Sequence, residues 1–295
     1  MSTVLVIGAT GKQGGAVGRR LLERGHTVLA YVRNPESEAA RSLTGAGAEL
    51  VPGDLADPNA LGSAAAGTDA IFSLTVPSTA DNDAEMSQGR LLIDAAADAG
   101  THLVYSSVRG ADRLTDSDVA HAGAKQLIEA QLRDRCPTAT VLGPTYFMEN
   151  LANVDFTGLR RGVYATPLSA DKPLDMVTVL DIAAMAVHAI ENPGEMAGRR
   201  IDLTSDRLTG RQVAHTLGDL LGRDIPYQQL PLDQVRAWAG PQVATMFEKF
   251  EANTSYVDTA TLYRDYPELG WHSFTDWAAR IDWERLIAAS IEESG

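Results

Sequence analysis

The stretch Val4-Leu5-Val6-Ile7-Gly8-Ala9-Thr10-Gly11-Lys12-Gln13-Gly14-Gly15 decides the fold. Its apolar run predicts a buried strand, and the glycines that follow at once end it. Val17, Leu21 and Leu22 then recur at helical spacing, and Gly25 stands where a helix would stop. A strand that turns through glycines straight into a helix lets the backbone approach a ligand closely. Free N–H groups and the positive helix end favour an anion at that point. The pattern is G-x-x-G-x-x-G rather than G-x-G-x-x-G, and taken alone it also fits a glycine turn with no ligand. Its context, completed by a second strand over Thr27–Val32, makes a βαβ unit. The expectation is a dinucleotide pyrophosphate held by Gly8, Thr10, Gly11, Lys12, Gln13 and Gly14.

The end of the second strand selects between dinucleotides. An acidic residue there binds the adenosine ribose, whereas a basic one holds a 2′-phosphate. No Asp or Glu occurs between His26 and Pro35, and Arg33 lies roughly 20 residues past Gly14, where the selector belongs. A guanidinium grips phosphate through two bonds where a carboxylate would repel it. The cofactor expected is therefore NADP(H), the alternative being that Arg33 is a solvated surface residue.

Strands and helices go on alternating. Glu49–Val51 reads as a strand that leads into Gly53-Asp54 and a helix ending at Gly67. Ala70–Leu74, Leu103–Ser107 and Ala139–Leu142 read as further strands, with helices over Met86–Ala99 and Ala124–Arg135 between them. Asp175–Val179 and Arg200–Leu203 also read as strands. Asp181 is expected to cap a helix through Glu191, and Thr209 one that Gly222 stops. This pattern predicts an α/β protein with a Rossmann-type doubly wound parallel sheet and a smaller C-terminal α/β lobe. The division expected is 1–150 for the dinucleotide-binding domain and 151–295 for the smaller lobe, with sharing of the sheet and a chain crossing left open.

Composition sets outer limits. The chain has 295 residues, enough for two unequal domains, and a formal net charge of −14 that disfavours binding to nucleic acid or an acidic membrane surface. A single cysteine, Cys136, excludes an internal disulfide and fits a reducing, cytoplasmic compartment. No run approaches the roughly 20 apolar residues of a membrane span, and no signal peptide is apparent. His188 and His215 lack metal-ligand spacing, and no H-E-x-x-H or C-x-x-C occurs, so no metal site is expected.

Gly8–Gly15, Arg33-Asn34-Pro35, Gly53-Asp54, Tyr105-Ser106-Ser107 and Pro144-Thr145-Tyr146-Phe147-Met148-Glu149-Asn150 together resemble the NmrA-like group of atypical short-chain dehydrogenases. The likeness covers nearly the whole chain. The resemblance implies a pyrophosphate on the glycine loop, the 2′-phosphate on Arg33 and adenine beside Asp54-Leu55. It also implies that Leu74-Thr75-Val76, Ser106, Pro144 and Tyr146-Phe147 border the cofactor. The family includes NADPH-sensing regulators as well as quinone, dye and isoflavone reductases.

Ordinary short-chain dehydrogenases carry tyrosine and lysine as Y-x-x-x-K on one helical face, where the ammonium lowers the pKa of the phenol. Here the matching stretch is His121-Ala122-Gly123-Ala124-Lys125, with histidine in place of tyrosine. Lys125 is expected to bind the nicotinamide ribose. His121 is either a proton donor or an exposed bystander at a helix start, the second being preferred. Ser106 and Ser107 either meet a substrate carbonyl or bond locally to backbone.

Beyond the sixth strand, Phe147, Met148, Phe156 and Tyr164 are candidates for an apolar pocket, with Phe156 read as core. Trp277 and Ile281 at helical spacing suggest packing, while Met246, Phe247 and Phe250 line either a cleft or a partner surface. Two functional readings follow. One is an NADPH-dependent reductase of a hydrophobic quinone, carbonyl or similar small acceptor. The other is a non-catalytic NADP(H) sensor acting through a regulatory protein partner; a homodimer is left open.

Overall fold

The computed structural model describes residues 1–75, 82–113 and 120–289. The chain divides into two compact units, one formed by Met1–Pro144 and Val179–Leu203, the other by Thr145–Thr178 and the chain from Thr204 on.

In chain order the first unit begins β1 (Thr3–Ile7), α1 (Lys12–Glu23), β2 (Thr27–Val32), α2 (Glu38–Gly45), β3 (Glu49–Pro52) and α3 (Pro58–Ala65). It continues β4 (Ala70–Leu74), α4 (Asn82–Ala99), β5 (His102–Ser106), α5 (Ala120–Arg135) and β6 (Thr140–Pro144). The second unit then starts with β7 (Tyr146–Phe147), β8 (Tyr164–Thr166) and β9 (Pro173–Val177). The chain returns to the first through α6 (Val179–Glu191), α7 (Pro193–Met196) and β10 (Arg200–Leu203). It closes in the second with β11 (Asp206–Thr209), α8 (Gly210–Leu221), β12 (Tyr227–Gln229), α9 (Leu232–Ala239) and α10 (Pro241–Ala252). Three short helices follow, α11 (Thr259–Asp265), α12 (Phe274–Ala278) and α13 (Trp283–Ala288).

The first unit is a seven-stranded sheet in the order β10-β6-β5-β4-β1-β2-β3, with every pairing parallel. The order reverses on either side of β1, which pairs with both β2 and β4. In an open α/β sheet that reversal leaves a crevice beyond the carboxyl ends of the strands, and the glycine loop follows β1 there. Register puts Leu5, Ile71 and Leu103 in one row and Val6, Phe72 and Val104 in the next, facing opposite ways. The first row packs with Leu61, Leu92, Ile93, Ile128 and Leu132 of α3, α4 and α5. On α1, Val17 and Leu21 are fully buried, each contributing about 1.5–3 kcal/mol by leaving water. Among the described residues no helix is long and apolar enough to cross a membrane.

The second unit holds a three-stranded sheet in the order β11-β9-β7 and a parallel pair, β12 with β8. Thr209 and Gln212 form a capping box on α8, and Gly222 ends it in the left-handed region. Its core gathers Leu151, Leu159, Val213, Leu217, Phe274, Trp277 and Trp283.

Several local expectations shift. β9 ends at Val177, because Val179 opens α6 and carries Asp181 into the first turn, buried, where an N-cap was expected. α4 and α5 start at Asn82 and Ala120, earlier than Met86 and Ala124. α2 was not expected at all: its apolar stripe is only Ala40 and Leu43, and its start rests on Ser37 accepting from the Ala40 N–H at 3.2 Å. α12 stops at Ala278, so Ile281 lies past its end, although Trp277 is core as read.

Candidate functional site

The glycine loop is shaped by contact between backbones. The Gly11 N–H donates to the Gly8 carbonyl at 2.9 Å, and Gly11 caps α1 in extended geometry with no side-chain cap. That end of α1 is therefore not closed by a side chain of its own, as an anion site requires. At Gly14 a Cβ would fall 2.3 Å from the Gly8 oxygen and 2.5 Å from its carbonyl carbon, so only glycine fits the turn. Thr10, Gly11 and Lys12 are exposed beside it.

Gln13 ties the loop across the sheet. Ser106, buried at the end of β5, donates its hydroxyl to Gln13 Oε1 at 2.7 Å. Two residues far apart in sequence thus meet at the crevice. Ser107 donates instead to the buried Glu129 carboxylate. Both serine hydroxyls bond side chains, a partner different from the local backbone that was one of the two alternatives for them. Glu129 in turn accepts from Arg200 Nε at 2.9 Å, and Arg200 also donates to the Val108 carbonyl at 2.8 Å. Asp202 accepts from the Gly110 N–H at 3.1 Å, so two residues of β10 anchor the segment leaving β5.

Arg33 follows β2 directly, exposed, and its side chain makes no hydrogen bond or ion pair among the described residues. The next residues form a tight turn in which Asn34 Oδ1 accepts from the Glu36 N–H at 3.0 Å. Opposite, the Tyr31 hydroxyl donates to the Asp54 carbonyl at 3.0 Å and fixes the exit of β3 against β2. Asp54 is exposed, its Oδ1 accepting from the Ala56 N–H at 2.9 Å, and Leu55 packs on the core.

Lys125 lies deeper than expected for a ribose ligand. Its Nζ donates to Thr75 Oγ1 at 2.7 Å, to the Thr75 carbonyl at 3.1 Å and to the Tyr105 hydroxyl at 3.3 Å, with Glu85 Oε1 at 3.1 Å. Thr75 donates its one proton to Glu85 at 2.8 Å. The Tyr105 hydroxyl, 2.9 Å from Thr75 Oγ1, must therefore be the donor of that pair. An ammonium has three N–H groups, and all three are engaged here. Lys125, Glu85, Thr75 and Tyr105 are each at most 6% exposed. Burial pushes the Lys125 ammonium below the ordinary lysine range, opposed by the Glu85 carboxylate, and pushes the Tyr105 phenol well above its own. Glu85 carries no periodic or motif signal in the sequence, and only the packing of α4 against α5 reveals it.

His121 falls in the first turn of α5, but its side chain lies outside the described residues, as does Val76. Pro144 ends β6, its carbonyl accepting from the Arg109 N–H at 3.0 Å. In the second unit, Tyr146 meets Phe247 at 6.2 Å and Phe250 at 6.1 Å between ring centroids, with Phe147 beside it in β7. Burial raises the Tyr146 phenol to about 12. Phe156 is half-buried and lines a cavity, unlike the closed core position read for it. Among the described residues no three His, Cys, Asp or Glu side chains are grouped to hold a metal ion.

A parallel sheet with a glycine turn at its switch point and an unpaired arginine past β2 defines a Rossmann-type nucleotide-binding protein. The chain belongs to the NmrA-like family, whose model matches residues 1–288. It is 31% identical over 234 residues to an NAD(P)H azoreductase of Xenophilus azovorans, covering 79% of each chain. Its fold is shared with an NADPH-dependent quinone oxidoreductase of Escherichia coli solved with NADPH, at a TM-score of 0.78 and 23% identity, over 94% of this chain and 99% of that one. It is shared equally with the negative transcriptional regulator NmrA solved with NADP, at a TM-score of 0.77 and 21% identity, over 96% and 99%.

Proposed function

We propose that this chain is an NADPH-dependent oxidoreductase that reduces a hydrophobic quinone, carbonyl or similar acceptor. The observation that carries the reading is the Gly8–Gly14 turn at the sheet switch point, with Arg33 exposed and unpaired past β2. The azoreductase and quinone oxidoreductase relatives support it. When bound, NADPH supplies a hydride.

The residues of the chain do the rest. The loop Gly8–Gly14 and the start of α1 hold the pyrophosphate, with Thr10 and Lys12 beside it, while Gln13 is kept in place by Ser106. Arg33 holds the 2′-phosphate, and Asp54-Leu55 borders the adenine. Lys125 acts as a positioning residue: it holds Thr75, and with it the exit of β4, at the crevice. For Lys125 to reach a ribose it would have to exchange one of its present bonds. With no tyrosine at position 121, the proton for the reduced acceptor comes from water, which suits acceptors such as quinones that need no strong acid. Pro144, at the end of β6, borders the nicotinamide end. Within the second unit, Tyr146, Phe247 and Phe250 gather into an apolar surface.

The sensor reading is favoured by one specific observation, the engagement of the Lys125 N–H groups within the protein, which keeps this lysine from serving as a ready acid. Cofactor binding would then shift the protein's affinity for a regulatory partner. The two readings part on one experiment. NADPH oxidation is followed by absorbance with a panel of quinones, dyes and aromatic carbonyls, beside binding titrations of NADPH and NADH. Acceptor-dependent turnover is the expected result; tight NADPH binding without turnover on any acceptor would select the sensor.

Arg33→Ala tests the 2′-phosphate assignment in the same titrations. Charge-assisted bonds of about 1.5–3 kcal/mol predict a loss of NADPH affinity of roughly 10- to 150-fold, with NADH changed less than about threefold. Equal losses for both would remove the assignment.

A further inference from the structure

A cavity of about 460 Å³ opens wholly within the second unit, at Phe156, Arg161 and α9. Its size lies within the range of small-molecule pockets. Two features of its lining ask for a ligand.

The first is Trp238. Its ring stacks on Phe156 at 5.1 Å and 21°, yet 57% of the residue stays exposed, and its indole N–H bonds nothing among the described residues. The other tryptophans of the unit are treated differently: Trp277 and Trp283 are nearly fully buried, and the Trp271 indole donates to the Tyr266 carbonyl. An exposed indole already stacked on one ring keeps surface to accept another planar group.

The second is Arg161. Its neighbour Arg160 is consumed by structure, pairing with Asp155 at 2.7 Å and donating to the Ala289 carbonyl at 2.6 Å. Arg161 forms no ion pair or side-chain hydrogen bond among the described residues, although the chain carries a net charge of −14. It sits in a short turn that starts at Gly158, φ +75°, where a Cβ would fall 2.9 Å from the Arg161 guanidinium. Glycine at 158 thus permits the arginine to lie as it does. The rest of the lining is neutral: the buried Leu230 and Val235 are apolar, and Gln228 and Gln234 add amides.

We propose that this cavity is a binding site for a planar aromatic anion, its ring on Trp238 and Phe156 and its carboxylate or sulfonate on Arg161. One guanidinium without a competing carboxylate, beside stacked rings, selects charge and planarity together.

Calorimetric titration of the full chain, without cofactor, compares 2-naphthoate with its neutral analogue 2-naphthamide. Naphthoate should bind saturably and at least about tenfold more tightly, as a charge-assisted bidentate contact demands. Arg161→Gln should erase that preference by weakening naphthoate about tenfold while leaving naphthamide within about twofold. Trp238→Ala should weaken both ligands by roughly three- to tenfold, and Trp238→Phe should restore most of the loss. Both side chains are exposed, and an unchanged unfolding midpoint verifies that the variants fold. Absence of saturable naphthoate binding, equal affinity for the two probes, or wild-type binding by Arg161→Gln or Trp238→Ala would overturn the proposal. A failed titration with intact acceptor-dependent turnover removes the cavity site and leaves the reductase reading standing; the reverse pattern removes the reductase reading alone.

Discussion

Glu85→Gln is expected to lower the unfolding free energy by about 3–5 kcal/mol, because it leaves the Lys125 ammonium buried without its counter-charge. Glu85 and Lys125 sit on different helices, α4 and α5, and meet inside the first unit at 3.1 Å. Removing one member of such a pair costs more than the pair ever contributed, since the remaining charge must be desolvated alone. The double variant Glu85→Gln/Lys125→Met should therefore recover most of the loss. The pH dependence has a definite sign. Burial holds the Lys125 pKa below its unfolded value of about 10.4, so between the two values the unfolded chain binds more protons and stability rises with pH. In Glu85→Gln the folded value drops further, which widens that window. Urea unfolding of Glu85→Gln should accordingly show a deficit that shrinks as pH is raised from 7 toward about 10. A deficit under about 1 kcal/mol, the same at every pH, would mean that the pair is not buried as described.

Gly14→Ala should abolish tight NADPH binding while leaving the chain folded. The added Cβ meets the Gly8 carbonyl at 2.3 Å and the Ala9 nitrogen at 2.9 Å, all backbone, and no side chain can swing aside. The strand that leads into Gly8, β1, is clamped between β2 and β4, so the loop and the start of α1 must give way. Overpacking of this kind costs about 1–3 kcal/mol in stability. The larger effect is on binding. N–H donors aimed at a phosphate contribute about 1.5–3 kcal/mol each, and misplacing two of them lowers affinity more than a hundredfold. Fluorescence titration of NADPH reads this directly, and a loss below about threefold would show that the cofactor does not rest on this turn.

The two predictions differ in how far the sequence alone foretold them. Gly14 was legible because a strand, a glycine turn and a helix are contiguous, and their hydrogen bonds are local. Arg33 was legible for the same reason, lying one βαβ unit downstream at a spacing that sheet geometry dictates. Glu85 was not legible. It lies ten residues from Thr75 and forty from Lys125, and what joins them is the packing of α4 on α5 beneath β4 and β5. Arg200 and Glu129 escaped for the same reason, as did the engagement of Gln13 by Ser106. The helix α2 escaped because two apolar residues make too faint a stripe, and α6 began early because buried Ile182, Met185 and Ile190 pull the turn before Asp181 into the helix.

By itself the sequence determined the parallel α/β sheet, the glycine turn after β1 and the position of Arg33 past β2, because each depends on periodicity and spacing along a short stretch of chain. Tertiary structure alone decided that Lys125 is buried with Glu85, that Ser106 and Ser107 take different carboxamide and carboxylate partners, and that Arg161 and Trp238 share a cavity. Those side chains come from segments distant in sequence, and burial, which sets the strength of a charge or a hydrogen bond, exists only once the segments have packed.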